Sequence, residues 1–323
     1  MSTKSEAEER DGVPLTNLDQ PLFDGAGATK RDLVEYLDAV RDRIMPVLED
    51  RPLSVIRVHR GQEAFMQKNV PKYTPDWVQT VKMWAESSNR NVSYALCNDR
   101  RTLLWFANQR AIEYHPALVR VDRPDRITHL VLDLDPPGTD AFAMVVRVAH
   151  AVRQALTDAG LAGAVKTSGA KGLHVFVPID EAASLEDSAA ATRAIARRAE
   201  QLDPDIATTA FVKAERGGKV FVDSTRVGGA TVIAAYSPRV RPGVPVSFPV
   251  AWDDLDDIIP TDFTVHTALS QLGDRDPWRE HMPDPQKLSP DLIDEGHGIP
   301  VARVQAMHEG KRRARAARDR AAD

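Results

Sequence analysis

A chain of 323 residues exceeds the usual size of one simple core, so one large α/β domain or a main domain with an appended subdomain is expected. Its 42 Lys and Arg against 47 Asp and Glu give a formal charge of −5, which excludes coating nucleic acid by bulk charge and leaves such binding to local basic patches. Cys97 is the only cysteine, so a disulfide framework and a cysteine-based zinc site are excluded, as suits a reducing cytoplasm.

Segment 1–11 is polar and mostly acidic, without the apolar centre of a secretion signal, and no later stretch reaches membrane-spanning length, so a soluble cytoplasmic protein is expected. Thr29 with Asp32 reads as an N-cap with an acidic third position. Leu33, Leu37, Val40, Ile44 and Val47 follow at helical spacing and predict one surface helix. Residues 53–58 and 92–97 read as strands, separated by a long stretch rich in Lys, Asn, Pro and aromatics over 65–84. Residues 129–134 form a short apolar run before Pro136-Pro137-Gly138, after which Asp140 is expected to cap a helix that continues to Gly160. A strand then leads into Lys166, a glycine-rich turn follows, and residues 173–179 read as the next strand. Ser184 with Asp187 marks another helix start. Gly217-Gly218 predicts a tight hairpin turn into a strand over 219–223, paired with residues 231–236. Prolines and valines alternate irregularly over 239–249, and 311–320 is an Ala/Arg run expected to be a frayed helix or disordered tail.

The chemistry gathers where apolar strands end in acids. His129-Leu-Val-Leu-Asp133-Leu-Asp135 puts two carboxylates two positions apart, on one face of a strand. A divalent cation is the economical way to hold such a pair together, although a strand-end Asp is more often a turn or cap residue. Alanine at Asp133 or Asp135 is then expected to leave folding intact, by relieving repulsion in the metal-free protein. Lys219-Val-Phe-Val-Asp223 repeats the pattern, and three such carboxylates suit Mg²⁺ or Mn²⁺ in phosphoryl transfer; the plainer alternative is that Asp223 caps the next turn. Between them, Lys166-Thr-Ser-Gly-Ala-Lys-Gly-Leu-His174 offers Gly169 and Gly172 for close backbone approach, with Ser168 and Lys171 as phosphate donors. Its spacing is not that of a P-loop, and such a turn is often only a hairpin. His174 could equally be a satisfied core histidine. His115 is held extended by Pro116 and by itself indicates nothing.

In order, Leu-Thr-Asn-Leu-Asp19, Gln67-Lys68-Asn69, Pro75-Asp76-Trp77-Val78, Leu-Asp133-Leu-Asp135-Pro, the 166–174 turn, Arg216-Gly-Gly-Lys-Val-Phe-Val-Asp223 and Tyr236-Ser-Pro-Arg239 resemble the polymerase domain of the bacterial end-joining DNA ligase LigD and its stand-alone relatives in the archaeo-eukaryotic primase superfamily. The resemblance implies an α+β primase-polymerase core of two β-sheets flanked by helices, occupying 15–285 between a flexible N-terminal tail (1–14) and a C-terminal extension (286–323) ending in a basic helical or disordered tail. It implies Asp133, Asp135 and Asp223 as catalytic metal ligands for two Mn²⁺ or Mg²⁺ ions. Nucleotide contacts would come from His115, Ser168, Lys171, His174, Arg216 and Arg239, and DNA contacts from Lys30, Phe65, Lys68 and Asn69.

The activity implied is addition of NTP or dNTP, with ribonucleotide preference, to DNA 3′ ends at primer-templates, gaps or breaks. The chain would act as a monomer alongside Ku and a separate ligase, in a bacterial cytoplasm at the nucleoid. Three positions depart from the family pattern. Gln20 stands where a 5′-phosphate-gripping lysine is usual, with Lys30 keeping the second such contact. Met66 replaces one of an aromatic pair, and Arg226 replaces a polar amide. A primase that starts chains unaided, or a DNA-end-binding factor with vestigial catalysis, are the competing readings; a metal-dependent nuclease would have no clear use for the Lys171 turn.

Overall fold

The computed structural model describes residues 8–85, 89–228 and 231–301. The first half of the chain runs β1 (Glu8–Arg10), β2 (Val13–Leu15), α1 (Lys30–Ala39), α2 (Arg41–Leu48), β3 (Leu53–Arg57), β4 (Phe65–Gln67), β5 (Thr80–Ala85), β6 (Arg90–Ala95), α3 (Arg100–Asn108), β7 (Ala111–Pro116), β8 (Val119–Arg120) and β9 (Arg123–Ile127). The second half runs β10 (His129–Asp135), α4 (Phe142–Asp158), β11 (Ala164–Thr167), β12 (Leu173–Pro178), α5 (Leu185–Leu202), β13 (Ala207–Thr208), β14 (Val220–Asp223), β15 (Pro249–Val250), α6 (Ala268–Leu272), α7 (Pro277–His281) and α8 (Pro290–Gly298).

The expected α+β architecture of two main sheets with flanking helices is present. One sheet has β3 at its centre, joined to β4, β6 and β7, with β5 beyond β6. The other has six strands in the order β13-β14-β10-β12-β11-β15, all antiparallel neighbours except the parallel pair β13 and β14. Segment 231–248 joins the sheets. On one side Val232 and Ala234 donate to the β7 carbonyls of Pro116 and Tyr114; on the other Thr167 donates to Phe248. Leu130, Leu132 and Leu134 are fully buried on one face of β10, which leaves Asp133 and Asp135 on the other.

Several local expectations change. The helix predicted through Val47 is two, α1 and α2, broken at Val40, where Arg41 donates to the Asp38 carbonyl. The capping box of Thr29 and Asp32 is present, as is the Ser184 cap. Asp140 makes no cap bond; Ala141 occupies that position. Residues 8–14 are not a flexible tail but most of a hairpin, because Asp11-Gly12 turns the chain with positive φ at both residues and buries Val13 and Leu15. The start of the C-terminal extension is also packed: a Cβ on Gly296 of α8 would meet the Ala190 carbonyl of α5. Gly217-Gly218 does have positive φ twice, but it follows a 3₁₀ turn (Lys213–Glu215) and closes no hairpin, since β14 pairs with β10 and β13 and segment 231–236 pairs instead with β7. The 311–320 run lies outside the described residues. No helix among the described residues is long and apolar enough to cross a membrane.

Candidate active site

Register builds the site. Asp133 lies directly opposite Asp223 on one neighbouring strand and opposite His174 on the other, and His174 lies opposite Lys166. Directly opposed residues share a face of a sheet, so Lys166, His174, Asp133 and Asp223 form one row across four strands. Asp135, two positions along β10, joins the same face one step further on.

The row is densely bonded. Lys166 Nζ, fully buried, donates to His174 Nδ1 at 2.9 Å and to Ser247 Oγ at 2.6 Å. That assigns the His174 proton to Nε2, which faces Asp133 Oδ1 at 3.3 Å. Burial pushes the Lys166 ammonium well below its ordinary value, and burial followed by the Lys166 charge pushes His174 down to about 4. Burial acts on Asp133 in the opposite sense, but contacts from His174 and then Arg226 outweigh it and hold this carboxyl well below the usual range. Arg226 Nη2 stands 2.7 Å from Asp133 Oδ2 and 3.4 Å from Asp223 Oδ2. Asp223 Oδ1 accepts from the Thr225 backbone and hydroxyl, so the expected turn-capping role is also present. Asp135 faces Lys171 Nζ at 3.1 Å and Arg216 Nη1 at 3.4 Å, while the Arg216 guanidinium stacks 3.8 Å from the Phe221 ring centroid.

The turn 168–172 is the hairpin loop between β11 and β12, and it is also part of the site. Ser168 Oγ accepts from the amides of Ala170 and Gly172, and Lys171 Nζ also donates to the Pro136 carbonyl. Its glycines are needed by the protein itself. Gly169 has φ +66° and lies against Arg239, and a Cβ on Gly172 would sit 2.1 Å from the Leu134 carbonyl oxygen. Gly172→Ala is therefore expected to cost about 2–3 kcal/mol in urea unfolding, since backbone between the two acids must move.

Arg239 Nη1 donates to the Ser168 carbonyl at 2.7 Å, and its Nε lies 3.2 Å from Glu113 Oε1. Glu113 also faces His115 Nε2 at 2.9 Å and accepts from the Val240 amide at 2.8 Å. This buried carboxylate thus ties two predicted nucleotide residues, one on β7 and one on the joining segment. Burial would raise it, yet its contacts with His115 and Arg239 leave it below its ordinary value. His115 is lowered, first by burial.

A cavity of about 260 Å³ opens beside Asp135, lined by Lys171, Lys213, Arg216 and Lys219. A larger one, about 440 Å³ and lined by Phe176, Trp278 and Met282 among others, includes none of the predicted site residues. Sequence reasoning missed Glu113, Lys166, Lys213 and Lys219. Lys166 and Lys219 do open the motifs that end in His174 and Asp223, and Glu113 shares the strand face of His115 two positions away.

The predicted DNA contacts are placed apart from this row. Phe65 and Met66 on β4 are exposed, with Phe65 tilted against His59 at 5.0 Å between ring centroids, which leaves an apolar edge suited to stacking. Lys68 is half-buried. Asn69 is spent on structure, accepting from the Ser93 amide and donating to the Val70 carbonyl. Lys30 is 3% exposed with Nζ on the Thr16 carbonyl, and burial, aided by Arg110, pushes it down to about 8; as placed it presents no surface ammonium.

As the side chains stand, no three His, Cys, Asp or Glu among the described residues form a ready metal cage. The donor set nevertheless fits a hard divalent ion: carboxylate oxygens alone, with the guanidinium of Arg226 marking a place between Asp133 and Asp223 where positive charge is already accepted.

Comparisons with known proteins converge on one family. A family model described as LigD, primase-polymerase domain, matches residues 29–278. A bifunctional non-homologous end joining protein LigD from Bacillus subtilis is 32% identical over 265 residues, covering 80% of this chain and 42% of that protein. The multifunctional non-homologous end joining protein LigD of Mycobacterium bovis is 35% identical over 264 residues, covering 78% of this chain and 34% of that protein. The chain thus spans less than half the length of these curated relatives. A solved polymerase domain from Mycobacterium tuberculosis Ligase D in complex with DNA superposes with a TM-score of 0.77 at 33% identity, covering 85% of this chain and 98% of that one. This chain belongs to the LigD primase-polymerase domain family.

Proposed function

We propose that this chain is a metal-dependent nucleotidyltransferase that adds nucleotides, with ribonucleotide preference, to DNA 3′ ends during end joining. The observation that carries the reading is the row of Asp133 and Asp223 with Asp135 beside it, bordered by the cations Lys171, Arg216 and Arg239. Asp133, Asp135 and Asp223 would hold two Mg²⁺ or Mn²⁺ ions, which when bound supply Lewis-acid stabilisation of phosphate oxygens and favour deprotonation of the attacking hydroxyl. Lys171, Arg216 and Arg239 neutralise the triphosphate, and Lys213 and Lys219 extend the positive wall of the adjoining cavity. The Ser168 hydroxyl, its oxygen engaged by two amides, keeps its proton to donate to a phosphate oxygen. Lys166 and His174 hold Asp133 in position. His115, fixed through Nε2 by Glu113, presents its other ring nitrogen to the sugar. The exposed edge at Phe65 and Met66 takes a base by stacking. Primer-template, gapped or broken DNA is the polymeric substrate, with Ku and a DNA ligase activity acting in the same repair.

Extension of a labelled primer-template with ribo- and deoxyribonucleotides, under Mn²⁺ and Mg²⁺, tests this. Extension favouring ribonucleotides is expected. DNA binding without incorporation under either metal would overturn the enzymatic reading in favour of an end-binding factor, and synthesis on unprimed template would make the chain a primase.

A further inference from the structure

Every oxygen of the three site carboxylates already has a partner. Asp133 Oδ1 faces His174, and Oδ2 accepts from Arg226 Nε at 3.1 Å and Nη2 at 2.7 Å. Asp223 Oδ1 is taken by Thr225 and Oδ2 by Arg226, while Asp135 Oδ1 and Oδ2 face Lys171 and Arg216. Three negative charges therefore meet three positive side chains in direct contact, Arg226, Lys171 and Arg216. Lys171 and Arg216 grip only Asp135. Arg226 alone among these cations spans Asp133 and Asp223.

We propose that Arg226 is a resident counter-ion of the metal ligands, which a divalent ion must displace before Asp133 and Asp223 can bind it. The inference rests on the reading of these acids as metal ligands. A guanidinium does not lose its proton near neutral pH, so the site opens only by rotation of the side chain. Rotation is open to it: the side chain is 39% exposed and springs from a short 3₁₀ turn, Thr225–Gly228, at the rim of the sheet. Removing the guanidinium would leave Asp133 and Asp223 facing each other across β10 and β14 with no cation between them, a strained arrangement that a metal relieves. Arginine here trades metal affinity for a stable metal-free state. Triphosphate binding would draw Lys171 and Arg216 off Asp135 and free that carboxylate for the metal, so metal and nucleotide are expected to favour each other's binding reciprocally.

Mn²⁺ binding without nucleotide, followed by the electron paramagnetic resonance of free Mn²⁺, tests the proposal in wild type, R226Q, R226K, D133N and R226Q/D133N. R226Q is expected to bind Mn²⁺ about tenfold more tightly than wild type, within the ordinary range of coupling between sites. R226K, which keeps the charge, should stay closer to wild type, and D133N should abolish the R226Q gain. In thermal melts R226Q should lose stability without metal and regain it with Mn²⁺. Equal affinity of wild type and R226Q, both dependent on Asp133, would overturn the counter-ion role. Equal gains in R226Q and R226K would do the same, by assigning the effect to altered packing. Mn²⁺ binding indifferent to D133N in either background would instead defeat the metal-ligand reading on which the proposal stands.

Discussion

Replacing Asp133 by alanine is expected to lower nucleotide addition at least about a thousandfold in primer extension, because the residue anchors the acidic set at the centre of the sheet. The same change is expected to lower stability by about 1–3 kcal/mol in chemical denaturation, discounted for the partial exposure of Arg226. This reverses the expectation drawn from spacing alone. Two adjacent acids suggest repulsion that alanine would relieve, but Asp133 is bound to Arg226 and His174, and truncation strands both. The pH dependence follows from the sign of the shift. The folded-state value of Asp133 lies below the ordinary one, so its contribution is complete above about pH 4 and is lost as pH falls through the lowered value. Denaturation curves of wild type and Asp133→Ala should therefore be separate at neutral pH and draw together below about pH 4. A variant as stable as wild type at pH 7 would show that the Arg226 pairing adds nothing to the fold.

Loss of Glu113 should be felt still more strongly in the fold. Its side chain is 4% exposed and faces three partners, so Glu113→Ala leaves the Val240 amide without its acceptor and Arg239 and His115 without their counter-charge. About 3–5 kcal/mol is expected, or roughly 5–10 °C in melting temperature. Glu113→Gln preserves an acceptor for Val240 while removing the charge that orients His115 and Arg239. It should fold nearly normally and raise the KM for nucleotide about tenfold, with a smaller change in kcat, if the carboxylate positions His115 and Arg239 for the nucleotide contacts proposed for them. Unchanged KM in a folded Glu113→Gln protein would remove Glu113 from any positioning role.

The residues that were legible in the sequence have something in common. Asp133, Asp135 and Asp223 end apolar runs, and strand periodicity assigns the first two to one face; the structure adds that Asp223 is the direct neighbour of Asp133. The Ser168–Gly172 turn was legible through its glycines, although what they admit is the Arg239 side chain and the Leu134 carbonyl. The roles of Lys166 and Glu113 were not legible, because each depends in part on partners distant in sequence: Ser247 for one, Arg239 and Val240 for the other. The N-terminal hairpin was overlooked despite its Asp11-Gly12 turn, since its strands have only three residues each. Partner choice misled at 231–236. That segment follows β14 in the chain but bonds to β7, a choice settled by the packing of two sheets rather than by local pattern.

The strand order has one more effect, on how the protein comes into being. Asp133 meets His174 once α4 and β11 have been laid down, but meets Asp223 only after β12, α5 and β13 have followed. Closing so long a loop costs chain entropy before the contact repays it, so β14 docks late relative to the local pairs. A chain still emerging from the ribosome, or one arrested with β14 undocked, holds two of its three acids on one strand and lacks the third. Completion of the sheet and completion of the acidic set are then a single event.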